Sequence, residues 1–168
     1  MTESPPPLDP DPRTADEREM LLGFLRRQRR TVLAAAEGLT DEQARSTPPG
    51  RLTPIIAILN HLPYVEWRWI DGRYLGEEVT RSEEVEFNVP ADRTLADVIA
   101  DYERRAARTE QVVRDAPSID ALCPGHPSQP PRPGLDLRWV LLHLIEETAH
   151  HAGHADATRE MLDGTRLW

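Results

Sequence analysis

The chain has 168 residues, 39% hydrophobic and 29% charged, which is ordinary composition for one domain with a proper core. Its formal net charge of −9 argues against a nucleic-acid partner, which would require a basic face. No apolar run approaches the roughly 18 residues of a membrane span, the single cysteine, Cys123, allows no internal disulfide, and the N-terminus carries no basic-then-apolar signal, so a cytoplasmic protein is expected.

Prolines cluster in residues 1–13, expected to be a disordered tail, leaving 14–168 as a single domain. The first predicted helix runs from about Thr14 to Leu39, with Leu21, Leu25, Val32 and Leu39 on one stripe. Arg26 to Arg30, "RRQRR", lies in its middle and reads as a solvated face. Thr40 to Gln43, "TDEQ", fits a capping box before a short helical turn.

A second helix is predicted from Thr53-Pro54, a cap-then-proline start, to about Leu75, with a kink at Pro63. A short extended piece at Val85 to Val89 follows. The third helix spans Thr94 to about Asp115. A proline-rich loop holding Cys123 and His126 then crosses to the last helix, from an Asp136 cap to about Leu162. Four long helices without a convincing sheet predict an all-α four-helix bundle with long crossover connections.

The last helix carries the stretch "HLIEETAHHAGH", residues 143–154. On an ideal wheel with His143 at zero, Glu147 falls at about 40°, His150 at about −20°, His151 at about 80° and His154 at about 20°. They form one polar stripe among Trp139, Val140, Leu141, Leu142, Leu144 and Ile145, a helix apolar almost all round and so expected to be buried. Buried ionisable groups need a partner or a metal, and imidazole and carboxylate are good ligands for zinc and similar ions. Two ligand pairs have the i, i+4 spacing that lets side chains converge: Glu147 with His151, and His150 with His154. His143 with Glu147 has it too and could be a hydrogen-bonded pair. One helix usually supplies two ligands, and His61, in "LNHLPYVEWRW", is the candidate third from another helix; His126, in the loop, is a poor one.

These residues carry a resemblance. "LRWVLLHLIEETAHHAGHADATREMLDG" and "RLTPIIAILNHLPYVEWRWIDG" resemble the last-helix and second-helix segments of the DinB-like superfamily, in the branch of the mycothiol-dependent S-transferases and mycothiol-dependent maleylpyruvate isomerase. The resemblance implies a four-helix bundle with a central divalent metal, zinc above nickel or iron. It implies His61, Glu147 and His151 as ligands, His143 and His154 in support, and Tyr64 and Trp67 as pocket candidates. It also implies a low-molecular-weight thiol as cosubstrate (mycothiol in an actinobacterial host), attacking an electrophile in detoxification, and a homodimer of the kind common among related bundles. The arginine-rich, lysine-free composition suits such a GC-rich host. A metal-dependent hydrolase using the same site, or a non-enzymatic metal-binding bundle, are the alternatives.

Overall fold

The structure is a computed structural model that describes residues 16–50, 52–79, 83–127, 130 and 132–167. The expected tail, 1–13, and the expected helix start at Thr14 lie outside the described residues. Among the described residues six α-helices follow in order: α1 Glu17–Ala34, α2 Asp41–Arg45, α3 Ile55–Trp67, α4 Glu83–Phe87, α5 Leu95–Asp115 and α6 Leu137–Asp163. A π-helical segment, Arg68–Tyr74, continues α3. No strand occurs among the described residues, and the architecture is an all-α bundle of α1, α3, α5 and α6.

The caps explain several boundaries. Asp16 accepts from the Arg18 N–H to start α1, Thr40 and Gln43 form a full capping box on α2, and Thr94 does the same with Asp97 on α5. Asp136 accepts from the Trp139 N–H to start α6, which ends on Gly164 in the left-handed region at φ 80°.

α1 packs along α6 and α3 along α5, with α3 also against α6 and α1 against α5. This places α1 diagonally across from α3, and α5 across from α6, so the segments joining those pairs must cross an end of the bundle. The proline-rich crossover is held by backbone bonds from Cys123 N–H to Leu135 O at 2.8 Å and from Leu137 N–H to Ala121 O at 3.1 Å. Its His126 is buried and meets the Val79 backbone at 3.2 Å, over Gly72, where a Cβ would come within 2.9 Å of the imidazole. No helix of the described residues is long and apolar enough to cross a membrane.

The core divides into two apolar clusters. One gathers Val32, Ile55, Ile58, Leu59, Leu62 and Leu95; the other gathers Leu22, Leu25, Ile70, Val113, Leu141 and Leu144. Between Leu25 and Val32 on α1 stands Arg29, 4% exposed. Its guanidinium makes a two-pronged pair with Glu66 of α3, both contacts 2.8 Å, and reaches Glu110 of α5 at 3.2 Å. Arg26 binds the same Glu110 at 2.8 Å. The expectation of a solvated arginine face therefore fails at Arg29: carboxylates from two other helices wait inside, so the charge is paired where it is buried.

Other expectations are corrected. α1 ends at Ala34, not near Leu39; residues 35–38 turn, with Gly38 at φ 73°. α3 is capped at Pro54 without a side-chain bond, not by Thr53. Pro63 lies inside the helix as expected, and the feature not foreseen is the change of hydrogen-bond register beyond it, in Arg68–Tyr74. The segment expected to be extended, Val85 to Val89, begins inside α4; Glu86 is buried while Val85 and Phe87 are exposed, the reverse of an apolar-inward strand. α6 is not buried all round, since Trp139 is 42% and Leu142 51% exposed.

Candidate metal centre

α3 and α6 lie side by side, and each contributes to one cluster. His61, 6% exposed, points from the middle of α3. Glu147 and His151, one turn apart on α6, face it. The Nε2 atoms of His61 and His151 stand 3.7 Å and 3.4 Å from the same oxygen, Oε1 of Glu147. One ligand atom from each of the three residues lies within 4.8 Å of the other two. The contacts at 3.7 and 3.4 Å are longer than well-formed hydrogen bonds. Four ligands on a tetrahedral ion at about 2.1 Å would themselves be about 3.4 Å apart. Two imidazole nitrogens and a carboxylate oxygen at this separation fit a divalent cation.

The electrostatics fit as well. Burial pulls the His61 imidazole below its usual range, against the opposing charge of Glu86. Burial, reinforced by His61, lowers His151 to about 4. Both rings are thus neutral, the form that binds a metal, at neutral pH. The Nδ1 of His151 is buried without a hydrogen-bond partner, so Glu147 is the carboxylate that meets this ring. Glu147 is also the exposed member, its side chain 32% accessible against 8% for His61 and 13% for His151. The cluster therefore opens to solvent on the Glu147 side.

A residue that sequence reasoning missed completes the arrangement. Glu86 of α4, fully buried, places Oε2 3.0 Å from His61 Nδ1. Its other oxygen is held by Arg68, and its backbone carbonyl accepts from Asn60 Nδ2 at 2.7 Å. Phe87 stacks on the His61 ring at 4.3 Å and 17°. A carboxylate on one ring nitrogen fixes tautomer and orientation, and turns the other nitrogen to the site. No spacing rule links residues 61 and 86; the visible sign was an acidic residue between Val85 and Phe87.

The remaining candidates divide. His150 and His154 are exposed, their rings 4.5 Å apart on the outer side of α6. His143 is half-buried, one turn before Glu147, and burial lowers its pKa. It stacks on Trp139 at 5.3 Å and lies 4.3 Å from the Trp69 ring. Tyr64 and Trp67 line a cleft of about 200 Å³ with Arg93, Asp101 and Arg105, between α3 and α5. That cleft faces about 110° around α3 from His61, and shares no residue with the cluster.

Comparison with known proteins bears on this geometry. A crystal structure of a conserved protein of a locus from Enterococcus faecalis superposes with a TM-score of 0.66, at 14% identity, over 89% of this chain and 99% of that one. It shares the helical bundle. No curated protein matches the chain. Residues 20–164, which hold every member of the cluster, match the family described as Mycothiol-S-transferase, and the chain belongs to that family.

Proposed function

We propose that the protein is a metal-dependent S-transferase that joins a low-molecular-weight thiol, mycothiol, to an electrophile. The observation that carries the reading is the convergence of His61, Glu147 and His151 within 4.8 Å, in a chain of this family. These three residues would hold a divalent cation, with zinc first and nickel or iron also suited to the donor set. A cation held by three protein ligands leaves a position for a thiol and lowers its pKa.

The chain's own groups do the rest. Glu86 fixes the His61 ring, and burial keeps both imidazoles unprotonated. The exposed edge at Glu147 is where a thiol can enter. The thiol proton must leave. His143, one turn away with a lowered pKa, is neutral at pH 7 and can accept it; the exposed His154 can carry it to solvent. The sulfur electron pair then forms the bond to carbon, and the displaced group leaves with its own bonding pair.

The test has two arms. Elemental analysis of protein purified without a metal-affinity tag is expected to show about one cation per chain. Turnover of an alkyl halide is expected only when mycothiol is present. Turnover without thiol would favour a hydrolase on the same ligands. Absence of metal, with no thermal stabilisation on adding zinc or nickel, would sink both readings.

A further inference from the structure

Starting one turn before Glu147, on the open side of the cluster, α6 presents a second group of side chains, of which the transferase reading uses only His143. Trp139 and His143 stack at 5.3 Å and 14°. Trp69, from the π-helical segment, closes on both, at 5.2 Å from Trp139 and 4.3 Å from His143. Arg132, from the proline-rich crossover, sits over the two indoles, its guanidinium carbon 5.4 Å and 6.0 Å from the ring centres. Trp139 is 42% exposed and Arg132 is exposed. No carboxylate of the described residues pairs with Arg132, although the chain carries a net charge of −9 and pairs Arg26, Arg29, Arg114 and Arg138.

We infer that Trp69, Trp139 and Arg132 form the subsite for the electrophile, and that it takes a planar molecule bearing a carboxylate. The inference rests on the transferase reading for the reaction, but not for the binding. Indole faces give area to a flat apolar body without demanding a fixed hydrogen-bond pattern. An unpaired guanidinium offers a two-pronged match to a carboxylate. Its place over the rings keeps the fork beside the platform. The row Trp139, His143, Glu147, His151 advances one turn at each step, so Trp139 lies two turns, about 12 Å, before Glu147, with His143 half-way between them. A molecule with its acid on Arg132 and a ring along Trp139 points its far end past His143, along the row that leads to the exposed edge of Glu147. The cleft at Tyr64 and Trp67 does not offer this reach, since it faces another side of α3.

The test uses matched probes. Ligand-observed NMR measures binding of 4-methylbenzoate and its neutral analogue 4-methylbenzamide to zinc-loaded and chelator-treated protein. The acid is expected to bind about tenfold tighter than the amide in both forms, and Arg132→Gln to abolish the difference. Trp139→Ala is expected to weaken both probes, while Trp139→Phe restores them. With mycothiol held constant, 4-(chloromethyl)benzoate should have a lower KM than the corresponding amide. The sulfur–carbon bond forms as chloride leaves with its electron pair. Arg132→Gln should raise the KM of the acid about tenfold and leave the KM for mycothiol unchanged.

Equal binding of acid and amide would overturn the inference. So would binding of the acid only when zinc is present, which would place it on the ion, and so would an effect of Arg132→Gln on the KM for thiol instead. A dimer at micromolar concentration that Trp139→Ala splits would show that a second copy covers the platform. If Arg132-dependent binding persists but no thiol-dependent turnover is found, the transferase reading fails and the subsite stands.

Discussion

Glu86 holds His61 from behind: its Oε2 lies 3.0 Å from Nδ1, so Nε2 is the nitrogen that faces Glu147 and His151. The pairing couples the crossover helix α4 to the candidate centre. Glu86→Gln keeps an acceptor but removes the charge, and is expected to weaken zinc binding about tenfold. Glu86→Ala removes both and is expected to weaken it towards 100-fold. Competition with a chromogenic chelator measures this directly. Unchanged affinity in both variants would show that the contact only packs α4.

Neighbours in sequence are assigned different work. His151 faces the cluster, whereas His150 is exposed beside His154. His151→Ala is expected to lose stoichiometric metal and the thermal stabilisation that zinc gives the wild type. His150→Ala is expected to keep both. The reverse result would refute Glu147 and His151 as ligands and move the pair to His150 and His154.

The bundle was legible because its signals are local. Caps at Thr40 and Asp136 are read from two or three residues, and both are present, while Thr94, expected only as the start of the third helix, caps α5 as well. The stripe on α6 follows from helical periodicity, and the cluster joins two of its members with His61. Long-range relations were not legible. Nothing at Arg29 announces a partner 37 residues on at Glu66, so a buried ion pair looked like a wet face. Glu86 is 25 residues from His61 and lies where alternation suggested an extended piece. The exposed Trp139 and Leu142 look like core in a run as apolar as "WVLLHLI"; only the placing of neighbouring helices decides which side is covered.

The Arg29–Glu66 pair gives a stability prediction of known sign. Both side chains are at most 5% exposed. Removing one partner leaves a buried charge unpaired, so Arg29→Met is expected to cost about 3 to 5 kcal/mol in urea unfolding of the metal-free protein. Adding Glu66→Leu removes the orphaned carboxylate and is expected to recover most of that loss, less what Glu110 forfeits when its own contact with Arg29 goes. A double variant no more stable than the single one would show that the orphaned Glu66 carboxylate is not what destabilises Arg29→Met.

Acid sensitivity follows from the buried imidazoles. His151 titrates at about 4 in the folded chain against 6.5 in its ordinary state, and His61 is lowered in the same direction, both chiefly by burial. Between these values the unfolded chain binds more protons than the folded one, so stability rises with pH. The contribution is fully present above about pH 6.5 and is lost as pH falls towards 4. Melting temperatures of metal-free protein are therefore expected to fall steeply between pH 6.5 and 4.5. His151→Gln removes one of the two groups and is expected to flatten that slope, with little change above pH 7. With zinc present the fall should begin at lower pH, since the ion competes with protons for the same nitrogens. A slope unchanged by His151→Gln would mean that the acid transition belongs to other groups.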